Sequence, residues 1–298
     1  MQLYGKSLMK PSVLFVGFGQ IASKVHLALA NDVKADVVKK NQDAEIGKRV
    51  STLFIGDVAQ SDTWQKMDGH YDYIVYCVTP RGRDEDAYRA VFYEGLVHCI
   101  NYVNAQSCPA HILFVSSTSV FAQKAGETLT ELSEAIGASA TSKVLVASEK
   151  LLADSGLPHT VVRFSGIYGG TRTRLIEQVA AGNPVLSDEV RISNRIHEQD
   201  AVGFLECLIR KLMTGEQVDR LYLATDMQPS NLNEVYAFIA DQLNLTLNPV
   251  KIEEGAGRRS GNKTISNKRM LSTGFELSYP DFRDGYAEMC ARFVKNSE

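Results

Sequence analysis

Val13–Ala22 reads VLFVGFGQIA. Its four leading apolar residues, Val13 to Val16, have the unbroken hydrophobicity of a strand covered on both faces, as in a parallel sheet. Gly17, Gly19 and Ala22 follow in a G-x-G-x-x-A spacing, and Ile21, Val25, Ala28 and Leu29 then recur at the period of one helix face. A strand that turns on glycine into a helix start makes an anion site. The bare backbone can approach a diphosphate, and the unpaired N–H groups and helix dipole favour its charge. The small Ala22 lets the helix lie close to the strand. An ordinary βα turn reads the same way, and a methyltransferase cradles its nucleoside on a similar turn, so the rest of the chain must arbitrate.

Outward from that turn, strands and helices alternate. Residues 1–11 are expected as a loose tail. Ala35–Lys40, Leu53–Ile55 (closed by Gly56-Asp57), Tyr73–Val78 (stopped by Thr79-Pro80), His111–Val115 and Thr160–Phe164 read as further strands. Asp86–Val103 reads as a long helix with Tyr88, Phe92, Leu96, Cys99 and Val103 on one face, and Thr141–Asp154 as another. Such alternation gives right-handed βαβ crossovers and an α/β fold, a doubly wound parallel sheet with helices on both faces. Beyond Gly170 the pattern loosens into helices at Arg172–Ala181, Asp200–Met213 and Leu232–Leu243, a strand at Leu221–Ala224, and an exposed loop over Glu253–Lys268. The expected division is a dinucleotide-binding domain over 12–170 that also uses about 196–226, and a smaller C-terminal substrate lobe from 171–195 and 227–298.

The 298 residues are 44% hydrophobic and 22% charged, which is ample for a core. A net charge of −3 argues against a nucleic-acid or membrane-surface partner, because phosphate binding needs a clustered basic face. The sequence has no run of roughly 18 apolar residues, the length of a spanning helix, and MQLYGKSLMKPS lacks the apolar region of a secretory signal. Cys77, Cys99, Cys108, Cys207 and Cys290 are scattered without a C-x-x-C. They suit a reducing cytoplasm and offer no metal-ligand spacing, so no metal is expected.

The second strand runs out into Lys39, Lys40 and Asn41. A carboxylate there would hold ribose hydroxyls, whereas a cation suits a 2′-phosphate. This favours NADP, with NAD still possible, and counts against a methyltransferase; the two lysines also read as solvated surface charges. Asp57 can accept from an adenine amino group or simply form a turn. Val78, Thr79 and Pro80 end the fourth strand beside the expected nicotinamide ribose, as would any strand stopped by proline. Ser116, Ser117 and Thr118 offer hydroxyls to a substrate oxygen, or a polar turn. A hydroxyl acid needs a partner base, such as a tyrosine with a lysine four residues on. The helix expected to carry that pair, Ser139–Leu152, has Lys143 four residues after Ser139 and contains no tyrosine. In Asn194–Asp200 (NRIHEQD), Asp200 can cap the next helix, and His197 is either an acid–base group or a structural histidine. Arg163, Arg172 and Arg174 could meet an anionic substrate or do nothing.

These residues resemble, over nearly the whole chain, the short-chain dehydrogenase/reductase superfamily. The likeness is to an atypical form of its extended NAD(P)-dependent epimerase/dehydratase branch. The matching stretches are VLFVGFGQIA, Gly56-Asp57, YIVYCVTP, YRAVFYEGL, FVSSTSVF at 114–121, VRFSGIYGG at 162–170, NRIHEQD at 194–200 and ISNKRMLSTGFELSYPDFRDG at 265–285. The resemblance implies a Rossmann fold, with Gly17, Phe18, Gly19, Gln20 and Ile21 on the pyrophosphate, Asp57 and Val58 on the adenine, and Phe164, Ser165, Gly166 and Ile167 flanking the nicotinamide. Ser117, three residues before Val120, matches the family's catalytic Ser/Thr, and Ser116 beside it is expected among the cofactor-binding residues. The family's Tyr-x-x-x-Lys is absent: aligning Lys143 puts Ser139 at the tyrosine place, aligning on Glu149 puts Thr141 and Leu145 there instead, and neither register supplies a phenol. The glycine turn also departs from the usual G-x-x-G-x-x-G. Two functions follow. One is a reductase or epimerase-like enzyme on a small polar, nucleotide-sugar-like substrate, with Ser117 orienting the substrate and Lys143, His197 or water replacing the phenol. The other is a non-enzymatic NAD(P)(H)-binding redox sensor. Extended relatives pair through the long helices, which implies a homodimer through Asp86–Val103 and Thr141–Asp154.

Overall fold

Val13 to Val16 are fully buried in β1 (Ser12–Val16) of a computed structural model that describes residues 10–182, 184–186, 190–247, 250–251 and 262–296. The elements that follow are α1 (Gln20–Leu29), β2 (Lys34–Lys39), α2 (Ala44–Gly47), β3 (Thr52–Ile55), α3 (Ser61–Gln65) and β4 (Tyr73–Tyr76). Next come α4 (Glu85–Tyr88), α5 (Gly95–Asn104), β5 (His111–Ser117), β6 (Ala125–Leu129), α6 (Ala140–Asp154) and β7 (His159–Phe164). The remainder holds β8 (Gly166–Tyr168), α7 (Arg174–Ala180), β9 (Val185–Leu186), β10 (Ile192–Ser193), β11 (Arg195–His197), α8 (Glu198–Met213) and β12 (Leu221–Ala224). It closes with β13 (Ser230–Asn231), α9 (Leu232–Gln242), β14 (Val250–Lys251), β15 (Asn262–Ile265), α10 (Lys268–Ser272) and α11 (Phe282–Lys295).

The main sheet has seven strands in the order β12-β7-β5-β4-β1-β2-β3. It is the doubly wound parallel sheet that the alternation predicts, and β1 pairs in parallel with both β2 and β4. The chain therefore reverses its winding direction at β1, which opens a crevice beyond the carboxyl ends of β1 and β4. Among the described residues no helix is long and apolar enough to cross a membrane.

Two compact units carry these elements: residues 1–115, 144–161 and 208–220 form the first, and residues 116–143, 162–207 and 221–298 the second. In the first unit α1 buries Ile21, Ala22, Val25 and Leu29, but Ala28 is exposed and His26 takes the inward place, ringed by Phe15 and Phe18. The helix turns 100° per residue, so position 26 lies closer than position 28 to the face set by 22, 25 and 29. Of the predicted tail, residues 1–9 lie outside the described set, and Pro11 is tied down: its carbonyl accepts from the Lys34 N–H at 2.8 Å.

The long helix predicted over Asp86–Val103 is interrupted. A π-helical segment, Arg89–Glu94, joins α4 to α5. Phe92, Leu96, Cys99 and Val103 are buried as expected, while Tyr88, on the far side of the extra residue, is only half-buried. A side chain reaching into the helical ladder is one cause of such widening. Here Tyr76 donates its hydroxyl to the Val91 carbonyl at 2.5 Å. Gly95 leaves room for it: a Cβ there would stand 2.5 Å from Tyr76 Oη and 2.9 Å from Val58 Cγ2.

In the second unit an apolar core gathers Ile176 and Val179 of α7, Val235, Tyr236 and Ile239 of α9, and Phe282, Tyr286 and Met289 of α11 around Tyr168. The loop predicted over Glu253–Lys268 is corrected in part. Residues 253–261 lie outside the described set, Asn262–Ile265 is a strand pairing in parallel with β6, and Lys268 begins α10. Asp200 does not cap its helix, which starts two residues earlier. Its carboxylate instead accepts from the Ser278 and Tyr279 N–H groups at 2.7 and 3.0 Å.

Two outcomes follow. Gly95→Ala should cost about 1–3 kcal/mol in urea denaturation by overpacking, and adding Tyr76→Phe should lose less than the sum of the single variants; strictly additive losses would clear the tyrosine hydroxyl of obstructing that position. Burial, with the charge of His159 adding to it, pushes His111 down to about 4. The unfolded state therefore takes up that proton first, so stability is full above a pH of about 6.5 and declines towards 4. His111→Gln should flatten the fall of Tm across that window, and an unchanged profile would assign the loss to other groups.

Candidate functional site

In the first unit a cavity of about 330 Å3 opens where the chain leaves β1, β2, β3 and β4. Gly17, Phe18 and Gly19 line it from the first turn, Lys39 and Lys40 from the end of β2, Asp57 and Val58 from β3, and Val78 and Thr79 from β4. The structure thus brings together nine of the residues singled out in the sequence. Gln20, Ile21 and Pro80 are not on its wall, and Ile21 is buried in the core. The cavity also takes Arg81 and, from the widened helix, Ala87, Ala90 and Val91. No periodic signal marks these four. They follow the strand stop at Thr79-Pro80, and only the path of the chain brings them back.

The first turn fits a dinucleotide. Gly17 has φ +81°, and a Cβ on it would lie 2.5 Å from the Cys77 carbonyl oxygen and 2.9 Å from Val78 Cα. Only glycine allows β1 to turn this tightly against the end of β4. Around Gly19 the reverse holds: a Cβ there would meet nothing within 4 Å. Gly19 is the N-cap of α1 without a side chain to cap it, and the first turn of α1 holds no acidic residue. No side chain therefore caps the leading N–H groups, and Gly19 stands on the cavity wall, an arrangement that suits a pyrophosphate.

Charge concentrates on the side of β2. Lys39 Nζ pairs with Asp43 at 3.1 Å, and Lys40 Nζ with Asp57 at 2.5 Å. Burial raises Asp57, but the Lys40 hydrogen bond, the Ala59 N–H and the charges of Lys40 and Arg81 outweigh it and hold the carboxyl below its ordinary value. Arg81 Nη2 donates to Asn41 Oδ1 at 3.1 Å.

The second unit carries the hydroxyl-bearing residues. Ser117 is half-buried at the end of β5, and its Oγ accepts from the Ser119 N–H at 3.1 Å as the 3-10 turn Thr118–Val120 begins. Ser116 beside it is buried. Ser139 belongs to a capping cluster: its Oγ lies 3.0 Å from both Thr141 Oγ1 and Ser142 Oγ. Lys143 is exposed. Phe164 and Ser165 are buried, Gly166 is exposed and Ile167 is half-buried where β8 pairs with β11. His197 is enclosed by the Tyr279 ring at 3.7 Å and the Tyr168 ring at 5.1 Å, and its Nδ1 accepts from the Gln199 N–H at 3.3 Å. Those contacts are what the structural alternative for His197 requires. Arg172 pairs with buried Glu198, and Arg163 lies over the Phe121 ring at 5.0 Å. Lys263 escaped the sequence reading. Its Nζ donates to the Phe121 carbonyl at 2.5 Å, at the exit of the turn that Ser117 begins, and burial pushes its pKa down.

A family model for NAD(P)H-binding proteins matches residues 17–194. No curated protein sequence matches the chain. Among solved structures, a Methylobacillus flagellatus protein described as a candidate NAD-dependent epimerase/dehydratase is 30% identical, with 96% of this chain and 100% of that one covered and a TM-score of 0.79. The Bordetella bronchiseptica enzyme WbmG, solved with NAD, shares the fold at 14% identity, with 98% and 96% covered and a TM-score of 0.79. UDP-glucose 4-epimerase of Thermotoga maritima, solved with UDP-glucose, shares it at 15% identity, with 96% and 100% covered and a TM-score of 0.74. The open glycine turn and these likenesses agree: the chain belongs to the NAD(P)H-binding, epimerase/dehydratase-like family of extended short-chain dehydrogenases/reductases, which takes a nicotinamide dinucleotide.

Proposed function

We propose that the protein is an NADP-dependent reductase or epimerase-like enzyme acting on a small polar substrate of the nucleotide-sugar class. The observation that carries this is the uncapped start of α1 at Gly19, opening on a cavity with Lys39 and Lys40 on its wall. The chemistry that a bound nicotinamide supplies is hydride transfer. The Gly17–Gly19 backbone holds the diphosphate, Asp57 and Val58 meet the adenine, and Lys39 and Lys40 meet a 2′-phosphate; NAD, with a hydroxyl there, gains nothing from either lysine. Val78, Thr79 and Pro80 border the nicotinamide ribose, and Phe164 to Ile167 its ring. A sugar-nucleotide substrate is supported by the T. maritima neighbour, which holds UDP-glucose.

Ser117 presents its hydroxyl to the substrate oxygen and fixes its direction. With no phenol in α6, proton transfer falls to an ammonium or to water. Lys143 is exposed, whereas Lys263, half-buried on the Ser117 turn, is the better proton donor because burial already weakens its hold on the proton. The residues of 171–195 and 227–298 supply the substrate lobe. A cytoplasmic homodimer pairing through 85–104 and 140–154 belongs to the same reading.

The missing phenol favours a second reading, a non-enzymatic NAD(P)(H)-binding redox sensor. The two part on turnover. NADPH absorbance followed across nucleotide sugars, aldehydes and ketones should show a substrate-dependent change, and Ser117→Ala should lower kcat by about 10²–10⁴-fold while leaving cofactor affinity intact. Cofactor binding without turnover on any of them would select the sensor. Lys39→Ala with Lys40→Ala should weaken NADPH far more than NADH in a binding titration; equal losses would remove the lysines from the phosphate.

A further inference from the structure

Three cations face the wall of the dinucleotide cavity where β2 ends, and two of them are matched by carboxylates. Lys39 has Asp43 and Lys40 has Asp57. Arg81 comes from a different strand exit, beyond β4, yet it reaches across to the residue that follows Lys40. Its Nη2 donates to Asn41 Oδ1 at 3.1 Å. Asn41 is neutral, so it fixes the direction of the guanidinium without cancelling its charge. Among the described residues Arg81 takes part in no ion pair, and it shows itself electrically only by helping to hold Asp57 ionised. Three cations against two carboxylates leave this rim one positive charge in excess, at the place where an adenine ribose would carry its 2′ substituent.

We infer that Arg81, steered by Asn41, is the residue that makes this site select a 2′-phosphate over a 2′-hydroxyl. This rests on the proposed NADP reading and adds to it a residue that the end of β2 does not contain. The chemistry favours arginine in that role. A guanidinium has a planar fork of donors, of which Asn41 takes one, and a phosphate dianion accepts a fork through two oxygens. A lone hydroxyl offers a single oxygen to the fork and brings no charge. Lys40 is in direct contact with Asp57 at 2.5 Å, so much of its attraction to a phosphate is spent within the protein, whereas Arg81 feels that carboxylate only from a distance and gives its hydrogen bond to a neutral amide.

The test uses the whole chain and two adenine nucleotides, 2′,5′-ADP and 5′-ADP, which differ only in the 2′-phosphate and need no turnover. Arg81→Ala should weaken 2′,5′-ADP on the order of ten- to a hundredfold, the worth of a charge-assisted pair, and leave 5′-ADP within about twofold. Arg81→Lys should recover part of the loss, because it keeps the charge and gives up the fork. Asn41→Ala should cost 2′,5′-ADP a smaller factor, since the guanidinium remains but is no longer aimed. Equal loss of both nucleotides on Arg81→Ala would mean that the guanidinium stacks on adenine, and no loss would mean that it faces solvent; either overturns the assignment. Should Lys39→Ala with Lys40→Ala discriminate between the nucleotides while Arg81→Ala does not, the NADP reading stands and this inference falls. Failure of the unaltered chain to hold either nucleotide would take down both. Arg81 is exposed, and an unchanged Tm for each variant would separate these effects from misfolding.

Discussion

The approach of Gly17 to the end of β4 is the constraint on which the site depends. With φ at +81° and the Cys77 carbonyl 2.5 Å from where a Cβ would stand, the turn after β1 closes against bare backbone. Main-chain hydrogen bonds then lace the neighbouring strand exits together. The Gly17 N–H donates to the Val38 carbonyl at 3.0 Å, the Cys77 N–H to the Val16 carbonyl at 2.9 Å, and the Gly56 N–H to the Lys39 carbonyl at 3.0 Å. The exits of β1, β2, β3 and β4 are thereby joined through the main chain, and beyond β3 two side chains add to the hold: Thr63 Oγ1 donates to the Asp57 carbonyl at 2.7 Å and Trp64 Nε1 to the Val58 carbonyl at 2.8 Å. The Lys39 and Lys40 ammonium groups take no part in this backbone lacing and pair with Asp43 and Asp57 instead.

What could be read in the sequence follows from what writes periodic signals. Val13–Val16 announces a buried strand because both of its faces are covered, and Ile21, Val25 and Leu29 announce a helix because a single face is. Gly17 announces the turn because no other residue tolerates its conformation. Lys39 and Lys40 could be placed because a strand carries its residues to a known edge. Arg81 could not, since the short stretch between Thr79-Pro80 and the helix that follows has no period and the direction of the guanidinium is set by Asn41, forty residues earlier. The π-helical segment was equally hidden. Its cause is the Tyr76 hydroxyl, on a strand, and one inserted residue leaves Phe92, Leu96, Cys99 and Val103 in their heptad-like order while it turns Tyr88 away.

The second unit was less legible because short strands and irregular segments organise it, and these have few ladders of their own. A backbone N–H or carbonyl without a ladder partner must find a side chain when buried. Asp200 supplies one by accepting from two consecutive N–H groups, Ser278 and Tyr279. Asn267 donates to the carbonyls of Thr225 and Asp226 at 3.2 and 3.0 Å. Asn194 does the most: its Nδ2 donates to the Lys263 carbonyl and its Oδ1 accepts from the Ile265 N–H, both at 2.9 Å, while its own carbonyl accepts from the Gly166 N–H at 3.1 Å. A polar residue in such a place reads, in sequence, like a cap or a catalytic group. The expectation that Asp200 caps a helix failed for that reason.

The same reasoning bears on the chemistry of the second unit. Asn194 ties β15 to β8, and β15 carries Lys263, whose ammonium rests on the Phe121 carbonyl. Phe121 closes the turn that Ser117 opens: its N–H donates to the Thr118 carbonyl at 3.2 Å. A chain of short contacts therefore runs from an amide with no charge to a half-buried ammonium, and from there to the turn bearing the serine hydroxyl. Ser139 is engaged with Thr141 and Ser142 in starting α6, and Lys143 next to them is exposed. An ammonium thus reaches this turn from a strand more than a hundred residues further along the chain, tied there by a main-chain carbonyl and not by a carboxylate.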